Sequence, residues 1–207
     1  MICFSVIMPS YLGQYKGAAK DREMKFKRAV KSFLSQDYPF KELIVISDGC
    51  EVTNKLLTEI YESGELHSTQ LIKTKKHKIW GGIRNTGIKI AKNDYIIYLD
   101  TDDMYADNYL SELSDEIEKE EKHDVYYVSD IIYKGNTQTQ RNCYINKLGA
   151  CGTSNIIHKA SLTAQWPDTN YAEDYHFIKN ITKITQDIKK LLTTGYIVCH
   201  IPGVYDC

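Results

Sequence analysis

The sequence lacks the features that mark several large functional classes. It has no apolar stretch long enough to span a membrane, no Gly-x-Gly-x-x-Gly fingerprint and no glycine-rich loop after its first β-prone run. The first absence leaves no integral membrane segment. The other two disfavour dinucleotide oxidoreductases and sugar-phosphate nucleotidyltransferases, whose phosphate-binding turns need those glycines. Residues 1–9 are apolar but carry no basic leader or small-residue cleavage site. Charge of one sign is missing as well, since 26 Lys and Arg face 27 Asp and Glu for a formal net charge of -1. That balance argues against general electrostatic capture of nucleic acid. The local run Lys73-Thr74-Lys75-Lys76-His77-Lys78 reads first as a solvated loop. The cysteines Cys3, Cys50, Cys143, Cys151, Cys199 and Cys207 form no Cys-x-x-Cys pair and no zinc-like spacing. A reduced, cytoplasmic protein is therefore expected. There is no internal repeat and no low-complexity linker, and 207 residues with 43% hydrophobic positions suit one domain with a substantial core.

What is present is an alternation of β-prone and helix-periodic segments. Residues 3–8 read as a buried strand stopped by Pro9, with a loop at 10–13 and a long polar stretch at 14–23 able to cover a site. Over 24–36, Phe26, Ala29, Val30, Phe33 and Leu34 recur at helical spacing. Residues 42–47 predict a second buried strand closing on Asp48-Gly49, followed by a helix at about 52–62 and a third strand at 70–73. Ile83, Gly87, Ile90 and Ala91 give the next helix an apolar face, and it feeds the strand at 95–99. This repetition demands a largely parallel sheet with right-handed crossovers. The expected fold class is α/β, a single mixed, mostly parallel sheet flanked by helices, with ligands at the carboxyl edge of the strands. Beyond it, the pattern predicts a helix from 110 to about 122, one strand over 124–133, and a polar hairpin or loop at 135–152. A strand at 154–159, a short helix and turn at 162–167, a helix bearing Phe177, Ile178, Ile181 and Ile184, and a strand at 195–202 complete the chain.

The chemistry concentrates where Tyr95-Ile96-Ile97-Tyr98-Leu99 ends in Asp100-Thr101-Asp102-Asp103. Carboxylates crowded at the end of a buried strand repel one another unless a cation sits between them. Oxygen ligands suit Mg²⁺ or Mn²⁺, and Mg²⁺ is usually held by one or two carboxylates together with substrate phosphates. The competing role is a solvated turn, with Asp103 capping the helix that follows. Capping is also the simplest role for Glu173-Asp174, which opens a helix. A lone histidine on the last strand, His200, is more often structural than a ligand.

Five stretches taken together resemble glycosyltransferase family 2 in order and spacing, over residues 4 to about 184. They are Ser5-Val6-Ile7-Met8-Pro9-Ser10-Tyr11; Ser32-Phe33-Leu34-Ser35-Gln36 with Glu42 to Gly49; Arg84-Asn85-Thr86-Gly87-Ile88; Asp94 to Asp103; and Glu173-Asp174. The resemblance implies a GT-A fold, inverting transfer of a sugar from a nucleoside diphosphate donor, and Mg²⁺ or Mn²⁺ as cofactor. Pro9 and Tyr11 match the loop where the nucleobase packs. Asp48 matches the Asp that accepts a hydrogen bond from uracil, so a UDP-sugar is the implied donor. Asp100 and Asp102 match positions near the ribose and metal, and Asp103 shares the metal role in some members. Arg84 resembles a nucleotide or diphosphate contact, with a helix-capping or surface-pair role as the alternative, and Asp174 matches the catalytic base. Some related enzymes place a His near the metal or diphosphate, where His200 stands.

On that resemblance, residues 1–103 form the donor half and 104–207 the half that binds a glycan or other hydroxyl-bearing acceptor. A nucleic-acid acceptor is not favoured. Trp80, Trp166, His176 and Asn155 are candidates for the acceptor side, with Trp166 equally suited to the core. Two departures stand out: the stretch from Tyr11 to Ser32 exceeds the family's common spacing, and no membrane helix follows the core, so processive polymerisation is not expected. A binding module that has lost catalysis is the non-enzymatic rival, and the presence of both Asp102 and Asp174 argues against it.

Overall fold

β1 (Phe4–Ser10) is buried at every position, as a strand with neighbours on both edges and helices on both faces must be. The computed structural model describes residues 1–64, 69–76, 80–134, 137–169, 171–201 and 203–207, with only the backbone of Trp80 and Lys134. His77 and Lys78 of the cationic run, and the Trp80 side chain, lie outside the described residues. After β1 come α1 (Arg22–Leu34), β2 (Lys41–Asp48), α2 (Glu51–Glu62), β3 (Thr69–Thr74), α3 (Trp80–Ile90) and β4 (Tyr95–Tyr98). Then follow β5 (Met104–Tyr105), α4 (Tyr109–Glu118), β6 (Val125–Tyr127), β7 (Asp130–Lys134), β8 (Thr137–Arg141) and β9 (Ile156–Lys159). The chain continues through α5 (Glu173–Ile184), β10 (Ile188–Lys190), β11 (Tyr196–Ile197), β12 (His200–Ile201) and β13 (Tyr205–Asp206).

The large sheet has the order β10-β6-β9-β4-β1-β2-β3. Its β3, β2, β1 and β4 run parallel, as does the β6–β10 pair, while β9 is antiparallel to both β4 and β6. The two-residue period divides its faces: Phe4, Val6 and Met8 pack with Phe26, Ala29, Val30 and Phe33 of α1, whereas Ile7 joins Ile96, Tyr98 and Ile88 on the other side. α3 approaches that second face closely. A Cβ on Gly87 would lie 2.7 Å from Ile7 Cγ2, so this crossing requires glycine.

Two small sheets flank the large one, ordered β5-β11-β7-β8 and β12-β13. They account for the differences from the sequence pattern. The single strand expected at 124–133 is two, because Asp130 is fully buried and bonded to Arg141 of β8, which pulls β7 out of the large sheet. The final strand is likewise divided into β11 and β12, and β10, with its two lysines, gave no hydrophobic signal. The expectation of six reduced thiols is corrected at one pair, since Cys143 and Cys151 form a disulfide. Turn hydrogen bonds from Tyr144 N–H to Ala150 O and from Ala150 N–H to Lys147 O fold that loop back until the two Cα atoms are 4.9 Å apart, within bridging range.

Beneath α5, Trp166 stacks on Phe177 with centroids 4.0 Å apart. Trp166 Nε1–H donates to the Tyr98 hydroxyl (3.0 Å), leaving the Tyr98 proton for His158 Nε2 (2.9 Å). The imidazole proton then sits on Nδ1, facing Lys159 O at 3.1 Å. Burial pushes His158 down from its ordinary 6.5 to about 4. An unfolded chain takes up a proton below about 6.5 and the native one does not until about 4, so stability is lost as pH falls through that window, by up to about 3 kcal/mol. Melting curves between pH 4 and 7 should show this slope, and His158→Asn should flatten it. An equal slope in the variant would assign the acid sensitivity to other groups.

Candidate active site

β1, β2 and β4 are parallel, with Ser10 opposite Ser47 and Ile7 opposite Tyr98, so the segments that follow all three leave at one edge. A cleft of about 320 Å³ opens there. Of the residues singled out in the sequence, Pro9, Tyr11, Arg84, Asp100, Asp102, Asp103, Asp174 and His200 line it, joined by Tyr15, Arg22, Thr101, Thr153 and Glu173. Asp48 is buried at the end of β2 and is not on the wall. Its neighbourhood still reaches Tyr11: the Lys76 backbone packs on Gly49, and Lys76 Nζ lies 3.9 Å from the Tyr11 ring centroid.

The long stretch after Tyr11 is tied down rather than loose. The buried Arg22 guanidinium donates to the carbonyls of Tyr11 and Gly13 and lies 4.7 Å from the Tyr15 ring centroid. Further along, Asp206 of β13 pairs with buried Lys25 and accepts from Lys20 N–H at 3.0 Å. Burial alone would raise the Asp206 carboxyl, yet its hydrogen bonds and the Lys25 charge hold it down at about 2. His200 belongs to this fastening. Its Nδ1 faces Asp206 Oδ1 at 3.0 Å and its Nε2 donates to Gly17 O at 2.9 Å. Against the expectation of a metal ligand stands this observation: both ring nitrogens of His200 are engaged in the structure, and the residue clamps the loop.

Asp103 also departs from expectation. Its Oδ1 accepts from Cys199 N–H at 2.7 Å and its Oδ2 from the Tyr196 hydroxyl at 2.8 Å, while Tyr196 accepts Asp100 N–H at 3.1 Å. Asp103 thus ties the turn after β4 to β11, and the N-cap of α4 is Asn108. Asp100 and Asp102 are only half-buried, whereas Asp103 is buried. Burial raises both carboxyls above the usual range. For Asp100, neighbouring Asp102, Asp174 and Glu173 add to the rise against the pull of Arg84; for Asp102, His200, Arg22 and Lys25 oppose it. Among the described residues no group of three His, Cys, Asp or Glu forms a metal cage. Two hard oxygen donors that resist being charged together nonetheless fit Mg²⁺ or Mn²⁺ completed by water and phosphate.

Beside Asp100, Arg84 Nη1 donates to Glu173 Oε1 at 2.8 Å, its Nη2 is 3.8 Å from Asp100 Oδ1, and its guanidinium lies 4.6 Å from the Trp166 ring centroid. Glu173 and Trp166 thereby take up much of the group that the sequence offered as a diphosphate contact. Asp174 stands in the first turn of α5, where no side chain caps the turn, and its Oδ1 instead accepts from Thr153 Oγ1 at 2.5 Å. Of the acceptor-side candidates, Trp166 and Asn155 are buried and His176 is exposed. Tyr15, Arg22, Thr153 and the pairing of Glu173 escaped the sequence reading. Arg22 and Tyr15 sit in a polar stretch with no periodicity, and Thr153 meets Asp174 only through the fold.

A mostly parallel sheet with carboxylates gathered at its carboxyl edge, and with an antiparallel strand inserted beyond β4, is the α/β build of GT-A proteins. The chain belongs to glycosyl transferase family 2, whose family model matches residues 5–189. An uncharacterized glycosyltransferase of Haemophilus influenzae is 30% identical over 111 residues, 53% of this chain and 40% of that protein. A poly-beta-1,6-N-acetyl-D-glucosamine synthase of Staphylococcus epidermidis is 32% identical over 79 residues, 38% of this chain and 19% of that one. The chain thus spans less than half the length of these curated relatives. Among solved structures, S. aureus TarS 1-349 in complex with UDP-GlcNAc superposes with a TM-score of 0.75 at 20% identity, over 95% of this chain and 58% of that one. A mannosyltransferase, PcManGT from Pyrobaculum calidifontis, in complex with GDP-Man and Mn²⁺, gives 0.72 at 13% identity, over 98% and 58%. At those identities the structures establish the fold. No helix among the described residues is long and apolar enough to cross a membrane.

Proposed function

We propose that this protein is an inverting glycosyltransferase that moves a sugar from a UDP-sugar to a hydroxyl of a glycan or other acceptor. The observation that carries the reading is the meeting of Asp100 and Asp102, from the end of β4, with Asp174, from α5, in one cleft. Tyr11 and the segment after β2 form the nucleoside end, and residues 104–207 supply the acceptor side. Asp102, with Asp100 beside it, would hold Mg²⁺ or Mn²⁺, which when bound supplies positive charge to the departing diphosphate. Asp174 takes the proton of the attacking hydroxyl. Attack from the face opposite the leaving group inverts the anomeric carbon, so one carboxylate base suffices and no sugar–enzyme bond is needed. The TarS complex with UDP-GlcNAc supports uridine as the nucleoside, and the PcManGT complex with Mn²⁺ supports the metal.

Calorimetry with UDP and GDP in Mn²⁺ tests the donor. UDP should bind more tightly, and Asp48→Ala should erase the preference by about 10- to 100-fold, the worth of a hydrogen bond to a charged group. An unchanged preference in the variant would remove uracil recognition from Asp48.

A further inference from the structure

We propose that Thr153 is a positioning residue for the base, holding Asp174 Oδ1 so that Oδ2 is left to receive the acceptor's proton; this rests on Asp174 being that base. The 2.5 Å contact from Thr153 Oγ1 is at the short end for a hydroxyl donating to a carboxylate. The hydroxyl comes from a rigid frame. Thr153 opens a buried single turn (Thr153–Asn155) in which Asn155 Oδ1 accepts Gly152 N–H at 2.7 Å. Asn155 Nδ2 donates to Val128 O at 3.0 Å and to Asp130 Oδ2 at 3.2 Å, and Arg141 holds both Asp130 oxygens at 2.8 and 2.6 Å.

Asp174 needs such a hold for a specific reason. It interacts electrostatically with Arg84, whose buried Nε has no hydrogen-bond partner among the described residues. A carboxylate drawn to that charge would spend its basic oxygen on an ion pair. The bond from Thr153 anchors the side chain on the other side. Glu173 already occupies Arg84 Nη1 through its Oε1, so the two acidic residues that open α5 have separate partners, Arg84 for Glu173 and Thr153 for Asp174.

The test compares Thr153→Val, which keeps the shape without the donor, with Thr153→Ser, which keeps the donor. Thr153→Val should lower kcat by about 10- to 100-fold, the scale of a misplaced catalytic group, with the Kd for UDP in Mn²⁺ unchanged. Thr153→Ser should recover most of the rate. In an Asp174→Asn background, Thr153→Val should cost nothing more. Melting temperatures are read throughout, and Thr153→Ala enters the same comparison if the valine variant does not fold. A full-rate Thr153→Val beside a crippled Asp174→Asn overturns the role of Thr153 alone. Equal losses in the serine and valine variants overturn it too, by making shape rather than the hydroxyl responsible. Near-normal transfer by Asp174→Asn overturns the base assignment itself, which is a separate result.

Discussion

On the proposed assignment of Asp174 as the base, Asp174→Asn should lower the rate of sugar transfer by about 10²- to 10⁴-fold, the usual cost of losing a general base, while fold and UDP affinity should survive. Asparagine keeps the size of the side chain and an oxygen that can accept from Thr153 Oγ1, so the contact that anchors residue 174 persists. What disappears is a basic oxygen. A helix-capping role predicts the opposite pattern, lost stability with normal turnover. The geometry already weighs against capping, because the N-cap position of α5 is Ala172 and no side chain bonds there. Single-turnover transfer, calorimetry with UDP and a melting curve on the same variant separate the two. A variant that melts early yet transfers at close to the normal rate would make Asp174 structural.

The central part of the fold could be read from the chain because its signals are local. β1, β2 and β4 are continuous apolar runs, α1 repeats Phe26, Ala29, Val30 and Phe33 at helical spacing, and each of the three strands leads to a polar or acidic residue. Alternation then forces those ends to one edge, which is why Tyr11, Asp48 and the Asp100 cluster could be gathered in advance, whereas Asp174 was implied only by the family resemblance. What was not legible has a different origin. Asp103 and Asp102 are adjacent in sequence and chemically identical, and only Tyr196 and Cys199, more than ninety residues away, distinguish the buried tether from the half-buried carboxylate. His200 was offered as a ligand only by the family resemblance, and nothing local announces Gly17 as its partner. Cys143 and Cys151 are eight apart, a spacing that matches no zinc or redox pattern, and the bridge follows from a turn the sequence did not specify. In each case the decisive partner lies outside the window over which periodicity carries information.

Exhaustive chelation should abolish turnover, and readdition of Mg²⁺ or Mn²⁺ should restore it. The cleft brings together five carboxyls, on Asp100, Asp102, Asp103, Glu173 and Asp174, against the cations of Arg22 and Arg84 with His200 at the rim. Those of Asp100, Asp102, Asp103 and Glu173 are all raised, burial being the first cause in each. A diphosphate adds further negative charge to a site that already resists it, so unaided binding is unfavourable. Hydrogen bonding separates the Asp pair by role. Asp102→Asn should weaken Mn²⁺-dependent UDP binding by about 100-fold or more, several kcal/mol of lost charge stabilisation, at nearly normal melting temperature. Asp103→Asn should do the reverse, because the Cys199 N–H and the Tyr196 hydroxyl use different oxygens of Asp103 and an amide puts an NH₂ donor in place of one of them, so the turn after β4 should loosen. Exposed Asp115 on α4 is the control, and its Asn variant should change neither quantity. Turnover that persists without divalent ions, or an Asp102→Asn variant that binds UDP with the same Mn²⁺ dependence as Asp115→Asn, would remove the metal from this site.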